Sequence, residues 1–164
     1  MQVLLEVTLP DTALLRGEGE AIAAQELVAA VEYAVHAIQG AVVPLTPVGV
    51  TGHLRQGTQT RVDVGGSAVD VTGHVFNPLG YAPAVERGAR PHFPPPGALE
   101  LWVQRKLGVP ANKARSVAFV VARAIARRGT AGAAMFWRGV ESVEASIHAR
   151  FDQVPGRIIA RLGK

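Results

Sequence analysis

A chain of 164 residues with 48% hydrophobic and 18% charged residues has the composition of a globular protein, not a disordered one. It contains no cysteine, which excludes a disulfide framework and any thiolate-based metal or redox chemistry. The net charge of +4 is unevenly spread: residues 1–50 hold six acids against Arg16, whereas residues 51–164 hold sixteen Lys or Arg against seven acids. The N-terminus has no basic region before a short apolar run broken by Glu6, and no uninterrupted apolar run reaches the length of a membrane span. These features predict a soluble, unprocessed single domain over 1–164 with no membrane partner.

Residues 2–9 carry Val3, Leu5, Val7 and Leu9 in alternation and predict a strand stopped by Pro10-Asp11. After a glycine-bearing turn, Ile22, Leu27, Val31, Ala34, Val35, Ile38 and Val42 recur at three- and four-residue steps, which predicts an amphipathic helix over 21–39. Glu18 and Glu20 suit its N-terminus, and Gly40, Pro44 and Pro47 are read as its end. From Thr58 to Phe76 the period changes to two, predicting a hairpin of strands 58–65 and 68–76. Its turn is Gly65-Gly66-Ser67, with glycine supplying a positive φ.

Asn77-Pro-Leu-Gly80 turns the chain, and Tyr81–Glu86 fits one or two helical turns. Residues 89–96 are expected to be extended, because three successive prolines fix φ and remove three donors. A short helix then carries Leu99, Trp102, Val103 and Leu107 up to Gly108. Pro110 opens a second, with Val117, Val120, Val121, Ala124 and Ile125 inward, and Gly129 ends it. A last helix from about Ala131 carries Met135, Phe136, Val140, Val143, Ile147 and Phe151, with its break at Pro155-Gly156. Eight of nine aromatics follow residue 75, which places the best-anchored packing in the C-terminal half.

The fold class that follows is α+β: a small antiparallel sheet packed by an N-terminal amphipathic helix, with a helical C-terminal part. Its α+β core spans 1–96, including the Pro-rich segment 89–96, and its helical part spans 97–164.

None of the five histidines forms a close pair of the His-x-x-x-His kind, so neither metal nor cofactor is expected. Glu86, between Val85 and Arg87, has no second carboxylate, nucleophile or phosphate loop beside it and reads as a structural group rather than a catalyst. Lys113, Arg115, Arg123, Arg127 and Arg128 make one helix strongly basic. With Phe119 expected in the core, a solvated or subunit-facing helix is preferred there to a nucleic-acid interface.

Several spaced pieces stand out together: Thr46-Pro47, Thr51-Gly-His-Leu-Arg55, Tyr81-Ala-Pro-Ala-Val-Glu-Arg-Gly88 and Arg90-Pro-His-Phe-Pro-Pro95, followed by Ile125-Ala-Arg-Arg-Gly-Thr130 and Phe136. In order and spacing they resemble the tail-completion, or neck, proteins of long-tailed bacteriophages, over about two thirds of the chain. The chain departs from that pattern in a loop before Thr51 that is one residue longer and lacks an acidic residue. Ala84, Arg87 and Ala89 also stand where an aromatic, an aromatic and a threonine are usual.

The resemblance implies a structural, non-enzymatic virion protein, assembled in the host cytoplasm, that forms a homo-oligomeric ring at the head-to-tail junction. Its partners would be other neck and tail proteins: connector, tail terminator or tail tube. Non-specific contact with DNA in the channel is a further implication. A basic DNA-contacting protein, or another connector layer such as a tail terminator or head-closure protein, is the alternative. The expected assembly interface comprises Thr51, Arg55, Tyr81, Glu86, Arg90, His92, Phe93, Arg123 and Arg127, with the Phe93 ring exposed.

Overall fold

The computed structural model describes residues 1–8, 17–65 and 70–163. In chain order its elements are β1 (Gln2–Thr8), α1 (Glu18–Leu45), α2 (His53–Gln56), β2 (Gln59–Val64), β3 (Asp70–Phe76), α3 (Ala82–Arg87) and β4 (Gly88–Ala89). There follow α4 (Pro96–Leu107), α5 (Ala111–Arg128), β5 (Thr130–Ala131), α6 (Met135–Asp152) and α7 (Val154–Leu162). The fold is α+β. The chain divides into two compact units, one of Met1–Leu45, Thr58–Asn77 and Phe136–Lys164, the other of Thr46–Gly57 and Pro78–Met135.

In the first unit an antiparallel sheet of order β1-β3-β2 is covered on one face by α1. Register pairs Leu5 with Gly73 and Val62 with Gly73, so Gly73 sits at the centre of the sheet. A Cβ there would lie 2.7 Å from Val35 Cγ1 and 2.8 Å from Val31 Cγ1, so the missing side chain is what lets α1 lie this close. Leu27, Val31, Val35, Ile38 and Val42 on α1, with Val71 and Val75 on β3, form the buried aliphatic stripe. The opposite face is polar: Gln2 Nε2 donates to His74 Nδ1 at 3.0 Å, His74 Nε2 lies 3.1 Å from Asp63 Oδ2, and Arg61 reaches the same oxygen at 2.8 Å.

The helix α1 is longer than expected at both ends. Val42 continues the buried stripe one turn past Ile38, and its burial outweighs the weak helix preference of Gly40, whose Cβ position is open space. Pro44 falls in the last turn, and the helix runs through it to Leu45. Among the described residues α1 is also long and apolar enough, by length and composition, to cross a membrane. Nine of its 28 residues are buried in the packing of the first unit.

The hairpin turn lies only partly within the described residues. Gly65 does not have a positive φ; a Cβ on it would instead collide with the Asp70 carboxylate, while its N–H donates to the Asp70 carbonyl at 2.7 Å. Gly66 and Ser67 lie outside the described residues, as do Leu9, Pro10 and Asp11 at the end of the first strand.

Aromatic anchoring is also not where the aromatic count placed it. Of the nine, only Phe136 is among the largest fully buried side chains; the rest of that set comes mainly from α1 and β3. The reason is period: α1 turns Leu27, Val31, Val35, Ile38 and Val42 inward, whereas Tyr81, Phe93, Phe119 and Trp137 fall on outward positions.

Candidate functional site

All nine residues of the expected interface belong to the second unit. Its first segment is a loop and short helix, α2, entered through Gly52 in the left-handed region at φ 76°. Arg55 on α2 donates from Nε (3.1 Å) and Nη2 (2.8 Å) to the carbonyl of Thr46, whose side chain is fully buried. This forked bond closes the loop, so Arg55 holds the segment rather than projecting from it. Thr51 is exposed, with its Oγ1 3.5 Å from the His53 amide. Arg105 of α4 adds a bond at 3.4 Å to the Val50 carbonyl.

The Tyr81–Gly88 piece folds as α3 followed by β4. Tyr81 is exposed and its carbonyl accepts from the amides of Ala84 and Val85, while Glu86, 5% exposed, is buried. Here two pieces of the motif that are far apart in sequence, Tyr81–Gly88 and Ile125–Thr130, meet. β4 pairs antiparallel with β5, Gly88 opposite Ala131 and Ala89 opposite Thr130. The Ala89 amide donates to Thr130 Oγ1 at 3.0 Å, the Ala133 amide to the Val85 carbonyl at 2.8 Å and the Ala134 amide to the Glu86 carbonyl at 3.0 Å.

Glycine makes this crossing feasible. Gly88 (φ 81°, ψ 176°) and Gly129 (φ 68°, ψ −155°) both occupy a region open essentially to glycine alone. A Cβ on Gly88 would strike the Thr130 carbonyl, one on Gly129 the Ala89 carbonyl, and one on Gly132 the Glu86 carbonyl. The expected last helix accordingly starts later than Ala131: residues 130 and 131 are spent on β5, and α6 begins at Met135.

Beyond the crossing, residues 90–95 carry neither helix nor strand. Pro95 (φ −56°, ψ 123°) is extended, and Pro96 begins α4 as its first residue. Arg90, His92 and Phe93 are exposed, and the His92 ring lies with Nδ1 2.8 Å from the Arg90 carbonyl, an acceptor that calls for the Nδ1–H tautomer.

The helix α5 is rotated relative to expectation. Its buried ridge is Ala114, Ala118 and Ala122, packed on α4; Val117, Val121 and Ile125 flank it, and Val120 (64% exposed) and Ala124 face out. Three alanines at four-residue spacing were the legible signal, since small side chains allow the closest helix approach; ranking positions by side-chain size pointed to the valines instead. The rotation brings Phe119 out, 48% exposed, where its ring meets that of Phe93 edge-on with centroids 5.9 Å apart. Beside it lies an open groove of about 870 Å³ lined by Pro96, Glu100, Asn112, Arg115, Ser116 and Phe119. Lys113, Arg115, Arg123, Arg127 and Arg128 are all exposed, and α5 carries no acid.

The charge asymmetry between the two parts of the sequence persists between the two units. The second unit has ten Lys or Arg against Glu86 and Glu100, a net +8; the first has seven against eleven acids, a net −4. In the first unit a separate apolar groove of about 570 Å³ runs along β1 and α6, lined by Val3, Leu5, Ile38, Val140, Ile147 and Phe151. Among the described residues no group of three or more His, Asp or Glu side chains is placed to hold a metal.

The chain matches no family model, no curated protein and no solved structure.

Proposed function

We propose that this chain is a structural virion protein of a tailed bacteriophage, a tail-completion or neck component whose subunits close into a ring at the head-to-tail junction. The observation that carries the reading is the crossing of β4 and β5. Tyr81–Gly88 and Ile125–Thr130, pieces of one motif separated by more than thirty residues, form a single hydrogen-bonded unit whose glycines have stereochemical reasons to be glycine. The departures from the usual pattern at Ala84 and Arg87 fall on exposed positions, where they alter what a partner meets and leave the crossing intact.

A ring built head-to-tail needs two different complementary faces on each subunit, and units of −4 and +8 supply them. Exposed ion pairs contribute only about 0 to 1 kcal/mol each, so charge sets register and encounter rate while apolar contacts hold the ring. Electron microscopy and native mass spectrometry of the purified chain are expected to give closed rings of one stoichiometry. Deleting its gene from a phage genome that carries it is expected to leave filled heads and finished tails unjoined, restored by the gene in trans. A monomer at all concentrations, together with normal joining in the deletion, would overturn the reading.

A further inference from the structure

We propose that α5, together with Phe119 and its neighbour Phe93, is a binding surface for single-stranded nucleic acid. The phosphate backbone runs along the cationic ridge, and a base stacks on the Phe119 ring. Lys113, Arg123 and Arg127 fall on the side of α5 opposite the Ala114–Ala118–Ala122 ridge, so they form one line about 20 Å long at 1.5 Å per residue. Arg115 and Phe119 lie on the adjoining flank, at the groove, where Asn112 and Ser116 place hydrogen-bonding groups near the ring. Phe93 braces Phe119 from its edge, which fixes the ring plane before a base arrives.

Three observations select this occupant. Among the described residues none of Lys113, Arg115, Arg123, Arg127 or Arg128 makes an ion pair within the chain, so five cations on one helix await an anionic partner. An aromatic ring exposed in the midst of cations is the composition of a stacking platform; a purely solvated helix gains nothing from Phe119 and Val120 facing out. The acids of a second copy are the rival occupant, and of the eleven in the first unit three are already engaged within the chain: Glu26 is 3.0 Å from Arg161, Asp63 bonds Arg61, and Glu144 lies 3.8 Å from His148. A single strand is favoured over a duplex because a duplex keeps its base faces stacked, and the middle of the ridge carries Val120 rather than a side chain that reads a groove.

The surface is defined on the isolated chain and does not depend on the neck reading. Fluorescence anisotropy of the full-length protein with a labelled oligothymidylate of about thirty nucleotides, across about 50 to 300 mM salt, tests it. Oligouridylate and a duplex of the same length are compared to separate DNA from RNA and single from paired strands. Saturable binding is expected, with affinity falling steeply with salt. Replacing Lys113, Arg123 and Arg127 together by Ala should reduce the slope of log K against log salt by about 2.

Phe119→Ala should weaken single-strand binding about five-fold or more with the slope unchanged and leave duplex binding as it was. Phe119→Trp should retain it. Phe119→Leu keeps apolar volume without the π-face and should behave as the Ala variant, which separates stacking from folding. Absence of saturable binding at low salt overturns the proposal. So does equal binding by wild type, Phe119→Ala and Phe119→Leu, which would mark polyelectrolyte attraction alone. If the triple variant loses self-association in sedimentation while nucleic-acid affinity is unchanged, the face belongs to a second copy, and the proposal also fails.

Discussion

The two units are held by opposite means. The first excludes water with side-chain volume: a five-residue aliphatic stripe on α1 is pressed against β3, and the closest atoms to the Cβ positions of Gly73 and Gly139 are valine methyl groups, of Val35 and Val42. The second is held where side chains are missing. Alanines pack α5 on α4, and three glycines let backbone touch backbone at the β4–β5 crossing. A unit of the first kind responds to lost methylenes in graded fashion; one of the second kind responds to added atoms abruptly. The surfaces differ accordingly: the second unit buries Leu54, Val103 and Met135 beside its alanines but leaves Tyr81, Phe93, Phe119 and Val120 outside.

The sharpest way to break this distinction is to add a Cβ at the crossing. Gly88→Val imposes a disallowed backbone conformation, about 1–3 kcal/mol, and drives carbon into the Thr130 carbonyl, which as backbone cannot rotate away. A loss of about 3 kcal/mol or more is expected in chemical denaturation, with early hydrogen exchange at the Ala89, Ala133 and Ala134 amides. Gly80→Ala and Gly97→Ala, whose Cβ positions are open, should stay within about 0.5 kcal/mol. Comparable losses at Gly88 and Gly80 would show that the crossing does not bear the unit's stability.

Removing volume from the first unit should rank next. Leu27 is fully buried, and Leu27→Ala is expected to cost about 2–5 kcal/mol through lost transfer energy and the cavity left behind. The matching test in the second unit has the opposite sign of volume: Ala118→Leu overpacks the α4–α5 contact and should cost about 1–3 kcal/mol. If Ala118→Leu stabilises instead, the alanine ridge is underpacked and the helices are not at closest approach.

How far the sequence foretold these regions depends on which means holds them. Period-two and period-3.6 patterns in Val, Leu and Ile located β1, α1, β2 and β3, because volume burial writes itself into hydropathy. Residues 88–89 and 130–131 form strands too short for a period, and what fixes them is the absence of side chains at Gly88, Gly129 and Gly132, which pattern counting does not register. The same blindness put Phe119 in the core: with Ala114, Ala118 and Ala122 ranked below valine, the helix was turned to the wrong face. Arg55 looked like a surface group since nothing local reveals that the Thr46 carbonyl, nine residues earlier, takes its forked hydrogen bonds.

The smallest expected effect tests whether charge contributes to the first unit at all. α7 lies against α1, where Val154 and Ile158 join Ala23 and Ala30 in a small buried cluster flanked by Ile22 and Phe151. On its rim Arg161 reaches Glu26 Oε1 at 3.0 Å and Gln25 Oε1 at 2.7 Å. Both the apolar cluster and the polar clasp tether the C-terminal helix, and they differ in what water does to them. Arg161 is substantially exposed, so its pair is screened, and Arg161→Ala should cost no more than about 1 kcal/mol and less still at high salt. Ile158 is buried, and Ile158→Ala should cost about 2 kcal/mol or more regardless of salt. Denaturation of the two variants at low and high salt separates the terms. If Arg161→Ala proves the more damaging, α7 is held by its clasp, and the first unit shares with the second a dependence on something other than apolar volume.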